Sequence, residues 1–114
     1  MIIDDDKGWL DYYRNLLKNF DIELFRDGVA AIQRMDKEVP KLILLDILLT
    51  GPTGFSILSE MQSYPELANI PIFVVSSVDL SATSLQKYGV KEIFNKSTML
   101  PQNLLARVRE YLNA

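Results

Sequence analysis

The sequence predicts an α/β fold, a doubly wound parallel sheet of five strands with helices on both faces. Five short strand-like segments alternate with helical patterns along the 114 residues, as expected of repeated β–α units. Residues 42–45 form the clearest segment, because four successive aliphatic side chains fit a strand buried on both faces. That segment ends in Asp46, at the edge where parallel sheets bind ligands.

The first half of the chain contains three of the predicted strands. Residues 1–3 form a short first strand, residues 22–25 the second and residues 42–45 the third. A helix is predicted over residues 7–19, with Asp6 as its N-cap. Its apolar face comprises Leu10, Tyr13, Leu17 and Phe20. The expected inner face of a short second helix comprises Val29, Ile32 and Met35.

The second half repeats this alternation. A third helix begins at Gly54, and its expected inner face comprises Phe55, Leu58 and Met61. Residues 70–75 form a fourth strand and residues 91–94 a fifth. A short helix is predicted within residues 81–88, and Gly89 suits the position after its end. Pro101 fits the first turn of the last helix, whose buried stripe comprises Leu104, Leu105, Val108 and Leu112.

Composition excludes several kinds of chemistry. The chain contains no cysteine and no histidine, which rules out a disulfide framework, a thiolate metal site and a Ser-His catalytic device. No apolar stretch approaches the roughly 20 residues of a membrane span, and no signal-peptide pattern opens the chain. The net charge of −3 argues against direct binding of nucleic acid. We therefore expect residues 1–114 to form one cytoplasmic domain that contacts neither membrane nor nucleic acid.

Polar residues follow the strands at the edge where the carboxyl ends meet. Asp4 and Asp5 follow the first strand, Asp46 the third, Ser76 the fourth and Lys96 the fifth. Three bare carboxylates repel one another, whereas a divalent cation stabilises all three in the ionised form. Magnesium prefers one or two carboxylates, several waters and a phosphate oxygen. The acidic residues therefore predict a Mg²⁺ site with room for phosphate.

Lys96 and Ser76 complete a set of groups suited to phosphoryl transfer. The lysine supplies a cation for one phosphoryl oxygen, and the serine hydroxyl donates a hydrogen bond to another. Asp46 is the candidate nucleophile, because a carboxylate can carry a covalent phosphoryl group.

In these motifs the chain resembles the receiver domain of bacterial two-component response regulators, along essentially its whole length. The matching pieces are residues 3–6, Leu45-Asp46 followed by Gly54-Phe55, residues 71–76 and residues 89–96. The resemblance implies a flavodoxin-like (βα)5 fold with strand order 2-1-3-4-5. It also implies that a histidine kinase or histidine phosphotransfer protein phosphorylates Asp46, and that the chain is a regulatory phosphoprotein rather than an enzyme.

The resemblance further implies a role for each site residue. The implied metal ligands are Asp5 and Asp46 directly, Asp4 through water, and the backbone carbonyl of Leu48. Ser76 is the switch hydroxyl, and Lys96 pairs with the phosphoryl group. Phosphorylation then alters the surface of the fourth helix, fifth strand and fifth helix, which binds a downstream target or a second copy.

Three positions depart from the family pattern. Thr50 stands where the family usually has proline, in the loop after the phosphoacceptor. Ser97 replaces the proline after the lysine, and we predict a trans peptide bond before it because a cis bond is costly without proline. Ile93 occupies the aromatic switch position, with Phe94 on the opposite face of the strand. The usual coupling between the switch hydroxyl and an aromatic side chain is therefore not expected.

Three further side chains are expected near the site without being ligands. Leu48 and Val78 lie two residues after Asp46 and Ser76, and neither can hold an attacking water by a side-chain hydrogen bond. This suggests the hypothesis of a slowly hydrolysing aspartyl phosphate. Trp9 is expected to be a half-exposed helix residue, and fluorescence that reports metal binding is its alternative role.

Two other functions remain open from the sequence alone. A degenerate receiver would fold and bind partners without being phosphorylated. The departures at Ile93 and Ser97 leave this alternative open, whereas the intact acid pair, Asp46 and Lys96 argue against it. A small phosphohydrolase of the haloacid dehalogenase type would use an Asp4-x-Asp6 motif, and it leaves Asp46 without a role. The sequence does not identify the kinase, the output or the oligomeric state, nor whether the chain is a stand-alone regulator or part of a longer protein.

Overall fold

The computed structural model describes residues 1–49, 51 and 53–113 and contains a single sheet in this part of the chain. Its strands are β1 (Ile2–Ile3), β2 (Leu24–Phe25), β3 (Ile43–Leu45), β4 (Ile72–Ser76) and β5 (Val90–Asn95). All four neighbouring pairs are parallel, and the strand order is β2-β1-β3-β4-β5. The predicted fold class and strand order are therefore confirmed.

Helices connect the strands and cover the sheet. They are α1 (Lys7–Leu16), α2 (Gly28–Met35), α3 (Gly54–Gln62), α4 (Ala82–Leu85) and α5 (Pro101–Leu112). A 3-10 turn at Gln86–Tyr88 continues α4, and Gly89 follows in the left-handed conformation with a φ of 81°. The short fourth helix and the glycine at its end are as predicted. None of the described helices is long and apolar enough to cross a membrane.

The first helix and the second strand are shorter than predicted. Helix α1 ends at Leu16 rather than at residue 19, and β2 contains two residues rather than four. Residues 17–19 form turns, and the polar residues of the connection to β2 favour turns over a further helical turn. Leu17 still faces the core with 2% of its surface exposed.

The sheet has an apolar core on each face. Ile3, Leu45 and Val74 belong to the core that α2 and α3 cover. Their neighbours Leu44 and Phe73 belong to the core that α1 and α5 cover. Successive strand residues point to opposite faces. Both β3 and β4 are buried on both sides, and they are apolar except for Ser76 at the end of β4. The predicted faces of α1 and α5 lie in or against this second core, with Leu10, Tyr13, Leu17, Leu104 and Val108 buried and Phe20, Leu105 and Leu112 partly buried.

The inner faces of α2 and α3 begin one residue earlier than predicted. Val29 is 53% exposed and Phe55 is 43% exposed, so their expected burial was wrong. The buried residues are Gly28, Ala31, Ile32 and Met35 in α2, and Gly54, Ile57, Leu58 and Met61 in α3. Both sets follow the i, i+3, i+4, i+7 spacing of one helix face, with a glycine as the first member. A glycine that faces inward has no side chain, so a pattern of hydrophobic residues does not identify it.

Gly54 sets the distance between α3 and the end of β3. A Cβ atom at this position would lie 2.5 Å from the Cα of Ile47 and 2.8 Å from the carbonyl oxygen of Asp46. Both are backbone atoms, so they cannot move aside without displacing the loop that carries the candidate nucleophile. The close contact therefore ties the position of Asp46 to the start of α3.

The variant Gly54→Ala is expected to lose about 2 kcal/mol or more of unfolding free energy, because overpacking against backbone outweighs the gain in helix propensity of about 1 kcal/mol. Gly8→Ala is the matched control, since the nearest atom to its added Cβ would be a side-chain oxygen of Asp6 at 3.1 Å. Urea denaturation measures both. Equal stabilities of the two variants would contradict the close contact at Gly54.

Candidate functional site

The predicted acidic residues meet at the carboxyl edge of the sheet. Strands β1 and β3 are neighbours, and the N–H of Asp46 donates to the carbonyl of Ile3 at 3.0 Å. This pairing brings Asp4, Asp5 and Asp46 together, with one carboxylate oxygen from each lying within 4.8 Å of the others. Asp4 and Asp46 are only 1% and 6% exposed, whereas Asp5 is partly exposed. All three predicted acids therefore belong to one cluster.

Lys96 joins two of these carboxylates. Its ammonium nitrogen Nζ lies 2.8 Å from Oδ2 of Asp4 and 3.1 Å from Oδ2 of Asp46. The lysine side chain is 8% exposed, and the two carboxylate side chains are 2% and 7% exposed. Buried charges of this kind are costly unless they are paired, so the three side chains depend on one another.

Backbone groups satisfy the other oxygens of the two buried carboxylates. Oδ1 of Asp4 accepts a hydrogen bond from the N–H of Asp6 at 2.9 Å. Oδ1 of Asp46 accepts one from the N–H of Leu48 at 3.0 Å. Each carboxylate thus has one oxygen on a backbone donor and the other on Lys96, which fixes the orientation of both.

Burial and pairing shift the pKa values of these groups. Burial raises the pKa of Asp4 above its usual value, although the hydrogen bond from Lys96 opposes the shift. Burial alone would lower the pKa of Lys96, but the hydrogen bonds and charges of Asp4 and Asp46 outweigh it and raise the pKa. The lysine is therefore a permanent cation at neutral pH, while crowding and burial disfavour the ionised form of Asp4.

Ser76 lies beside Lys96 at the end of β4. It is completely buried, and its backbone carbonyl accepts a hydrogen bond from the N–H of Lys96 at 2.8 Å. Its hydroxyl oxygen lies 3.5 Å from the N–H of Val78, which is a long hydrogen bond. The structure thus places the predicted switch hydroxyl at the same edge as the lysine, held by a weak local contact.

The loops around this edge show one predicted feature and one that the sequence did not indicate. Leu48 and Val78 are 48% and 38% exposed, which places apolar side chains on the surface near the cluster. The side-chain amide of Asn95 donates to Asp79 at 2.8 Å and so links β5 to the loop after β4. Sequence reasoning missed this Asp79–Asn95 link, because no motif marks a contact between a strand end and a loop. Thr50, one of the three departures from the family pattern, lies outside the described residues.

The peptide bond after Lys96 and the opposite faces taken by Ile93 and Phe94 are as predicted. The peptide bond between Lys96 and Ser97 is trans, because every described peptide bond is trans. Ile93 packs against the core on the α2 and α3 face, and Phe94 packs against the opposite core, 5.8 Å from the ring of Phe73. An isoleucine therefore occupies the face where the family usually carries its aromatic switch.

Asp6 lies outside the acid cluster. Its side chain caps α1 by accepting hydrogen bonds from the N–H groups of Gly8 and Trp9, at 2.8 and 3.2 Å. The hydrolase alternative requires Asp6 to react together with Asp4, and a carboxylate engaged as a helix cap does not favour that role.

The fold and its carboxyl edge define a class of protein. It is a doubly wound α/β domain with an acidic cluster and a buried lysine at the ends of its parallel strands. The sequence model of the response regulator receiver domain matches residues 1–109. The chain therefore belongs to the response regulator receiver family, which is regulatory.

Individual relatives agree with this assignment. The regulatory protein VanRc of Enterococcus gallinarum is 27% identical over 117 aligned residues, which cover 98% of this chain and 48% of VanRc. The Mn²⁺-bound response regulator Rcp1 is 25% identical, with a TM-score of 0.73 over 96% of this chain and 87% of that one. The chain spans half the length or less of the first curated relatives that it matches.

A more distant structure shares the fold. The receiver domain of the sensor histidine kinase PA1611 from Pseudomonas aeruginosa has a TM-score of 0.84 at 16% identity, covering 99% of this chain and 95% of that one. That structure has a magnesium ion coordinated in its active-site cleft.

Proposed function

We propose that residues 1–114 act as a phosphoacceptor switch in which Asp46 carries the phosphoryl group. The observation that carries the proposal is the position of the Asp46 carboxylate, 3.1 Å from the ammonium of Lys96 and within one cluster with Asp4 and Asp5. A nucleophile beside a fixed cation and a metal-binding acid pair has the parts that phosphoryl transfer needs, since positioning and neutralisation of charge dominate that reaction.

The acid cluster fits Mg²⁺ in its chemistry. Its donors are all carboxylate oxygens, three of them lie within 4.8 Å of one another, and two of the residues are buried. Such hard oxygen donors suit Mg²⁺, which would supply a charge that neutralises phosphoryl oxygens. The proposed ligands are Asp5 and Asp46 directly, Asp4 through water, and the carbonyl of Leu48. The magnesium in PA1611 and the manganese in Rcp1 support this part of the proposal.

The phosphoryl donor is a phosphohistidine on a histidine kinase or histidine phosphotransfer protein, because the chain has no histidine of its own. A carboxylate oxygen of Asp46 forms a bond to phosphorus, and the bond from phosphorus to the imidazole nitrogen breaks. The electron pair of that bond returns to the imidazole, which takes up a proton from water. We propose the cytoplasm as the location, since the ATP that loads such kinases is found there.

Lys96 and Ser76 would respond to the charge of the phosphoryl group on Asp46. The ammonium that now contacts Asp46 would pair with a phosphoryl oxygen, and the weakly held Ser76 hydroxyl would turn toward another. A movement of Ser76 carries the following loop, which the Asp79–Asn95 link ties to β5. We propose that this link, rather than an aromatic side chain, transmits the change to the surface of α4, β5 and α5. That surface would bind a downstream target or a second copy.

Phosphorylation is tested by incubating the protein with Mg²⁺ and a small acyl phosphate, then measuring intact mass. We expect a labile adduct of one phosphoryl group in the wild type and none in Asp46→Asn, because the amide is not a nucleophile here. Asp11→Asn is the control, since it removes one exposed carboxylate that pairs only with Arg14 among the described ion pairs. A stable, folded wild type without an adduct would instead favour the degenerate receiver.

Leu48 and Val78 provide a second prediction. The double variant Leu48→Asn, Val78→Glu places hydrogen-bonding side chains where apolar ones now lie exposed near the site. We expect its phosphorylated form to hydrolyse on the order of tenfold faster than the wild type, because these side chains can orient a water molecule. Val39→Glu, at an exposed apolar position before β3, is the control. Unchanged decay of the double variant would show that the apolar pair does not limit hydrolysis.

A further inference from the structure

Trp9 is held in a fixed orientation beside the acid cluster. It lies in the first turn of α1, where its N–H donates to the capping carboxylate of Asp6 at 3.2 Å. Its indole ring contacts the edge of Tyr12, with centroids 4.9 Å apart, and lies 6.0 Å from the ring of Tyr13. Tyr13 is 1% exposed, so the aromatic group is anchored in the core of the α1 face.

The ring of Trp9 lies against the ammonium of Lys96. The distance from Nζ to the ring centroid is 4.9 Å, within the range of about 6 Å in which a cation is attracted to an aromatic face. The same nitrogen donates to Asp4 and Asp46. Lys96 therefore has three attractive partners, two carboxylates and one ring, and the ring accounts for part of its low exposure.

We propose that Trp9 is a positioning residue that holds the Lys96 ammonium against Asp46. This inference rests on the proposed function, because its consequence is a cation already in place where a phosphoryl group would form. A lysine side chain is a flexible four-carbon chain, and the contacts to Asp4 and Asp46 restrict its freedom only at the terminal nitrogen. A ring fixed by Tyr12 and Tyr13 removes that freedom without adding a hydrogen bond that the ammonium would have to break.

The chemistry of the ring distinguishes this role from simple packing. Leucine at position 9 would keep an apolar cover on the helix but would offer no negative π face to a cation. Phenylalanine would keep a face, although a weaker one than the indole. If Trp9 only packs, both variants should change the free energy of unfolding without a specific change in the position of Lys96. If Trp9 positions Lys96, Trp9→Phe should retain more of the placement of the ammonium than Trp9→Leu.

The first measurement is NMR of the metal-free protein with isotopically labelled lysine. Protons close to the face of an aromatic ring resonate upfield, so the terminal methylene of Lys96 should be shifted upfield in the wild type. The shift should disappear in Trp9→Leu and persist in part in Trp9→Phe. The signal is assigned by its loss in Lys96→Met. Lys87, whose Nζ lies 5.2 Å from the ring of Tyr88, is the internal control and should not change.

The second measurement is the rate of adduct formation on Asp46 with acyl phosphate and Mg²⁺. We expect this rate to fall about threefold to tenfold in Trp9→Leu and less in Trp9→Phe, at similar folded populations. Tyr12→Leu is a further control, since that ring contacts Trp9 without a described contact to Lys96. It should slow the reaction less than Trp9→Leu does.

The two measurements separate this inference from the proposed function. An unshifted Lys96 signal in the wild type would overturn the positioning role. If the wild type forms the adduct and Trp9→Leu forms it at the same rate, the positioning role is also overturned. If the wild type forms no adduct, the proposed function fails. The NMR result then still decides whether Trp9 holds Lys96.

Discussion

The contact of one ammonium with two buried carboxylates is the constraint on which the site depends. Adjacent parallel strands bring Asp4 and Asp46 to the same edge, where their charges repel. Lys96, on the far side of β4, reaches both and compensates them. The interaction joins residues that directly follow β1, β3 and β5, so the carboxyl edge of the sheet is fixed by charge as well as by packing. The same crowding of carboxylates is what makes the cluster suited to a divalent cation.

The parts of the site that lie at strand ends were predictable from the sequence. Buried strands in a parallel sheet are recognisable as apolar runs, and the polar residue that follows each run must lie at the carboxyl edge. Asp46 was identified in this way, and Lys96 was identified from its place after the predicted fifth strand. Contacts that a loop or a helix makes with the end of a strand were not predictable, because they depend on the orientation of side chains rather than on periodicity. The Asp79–Asn95 link and the ring of Trp9 over Lys96 are of this kind.

Close packing explains the error in the predicted inner face of α3. A hydrophobicity pattern assigned Val29 and Phe55 to the interior, whereas Gly28 and Gly54 occupy those inward positions. At Gly54 the approach of backbone to backbone leaves no space for a side chain. The consequence reaches the site, because that contact involves the carbonyl of Asp46. The exposed side chain of Phe55 is therefore the result of a constraint on the neighbouring glycine.

The stability of Lys96→Met in the metal-free protein tests most directly whether the ammonium holds the buried carboxylates together. Removing one partner of a buried ion pair leaves the other charges uncompensated, so we predict a loss of about 3 kcal/mol of unfolding free energy at neutral pH. Lys87→Met, which removes a lysine from an exposed position against Tyr88, should change stability little. Equal stabilities for Lys96→Met and the wild type would contradict the central role given to this contact.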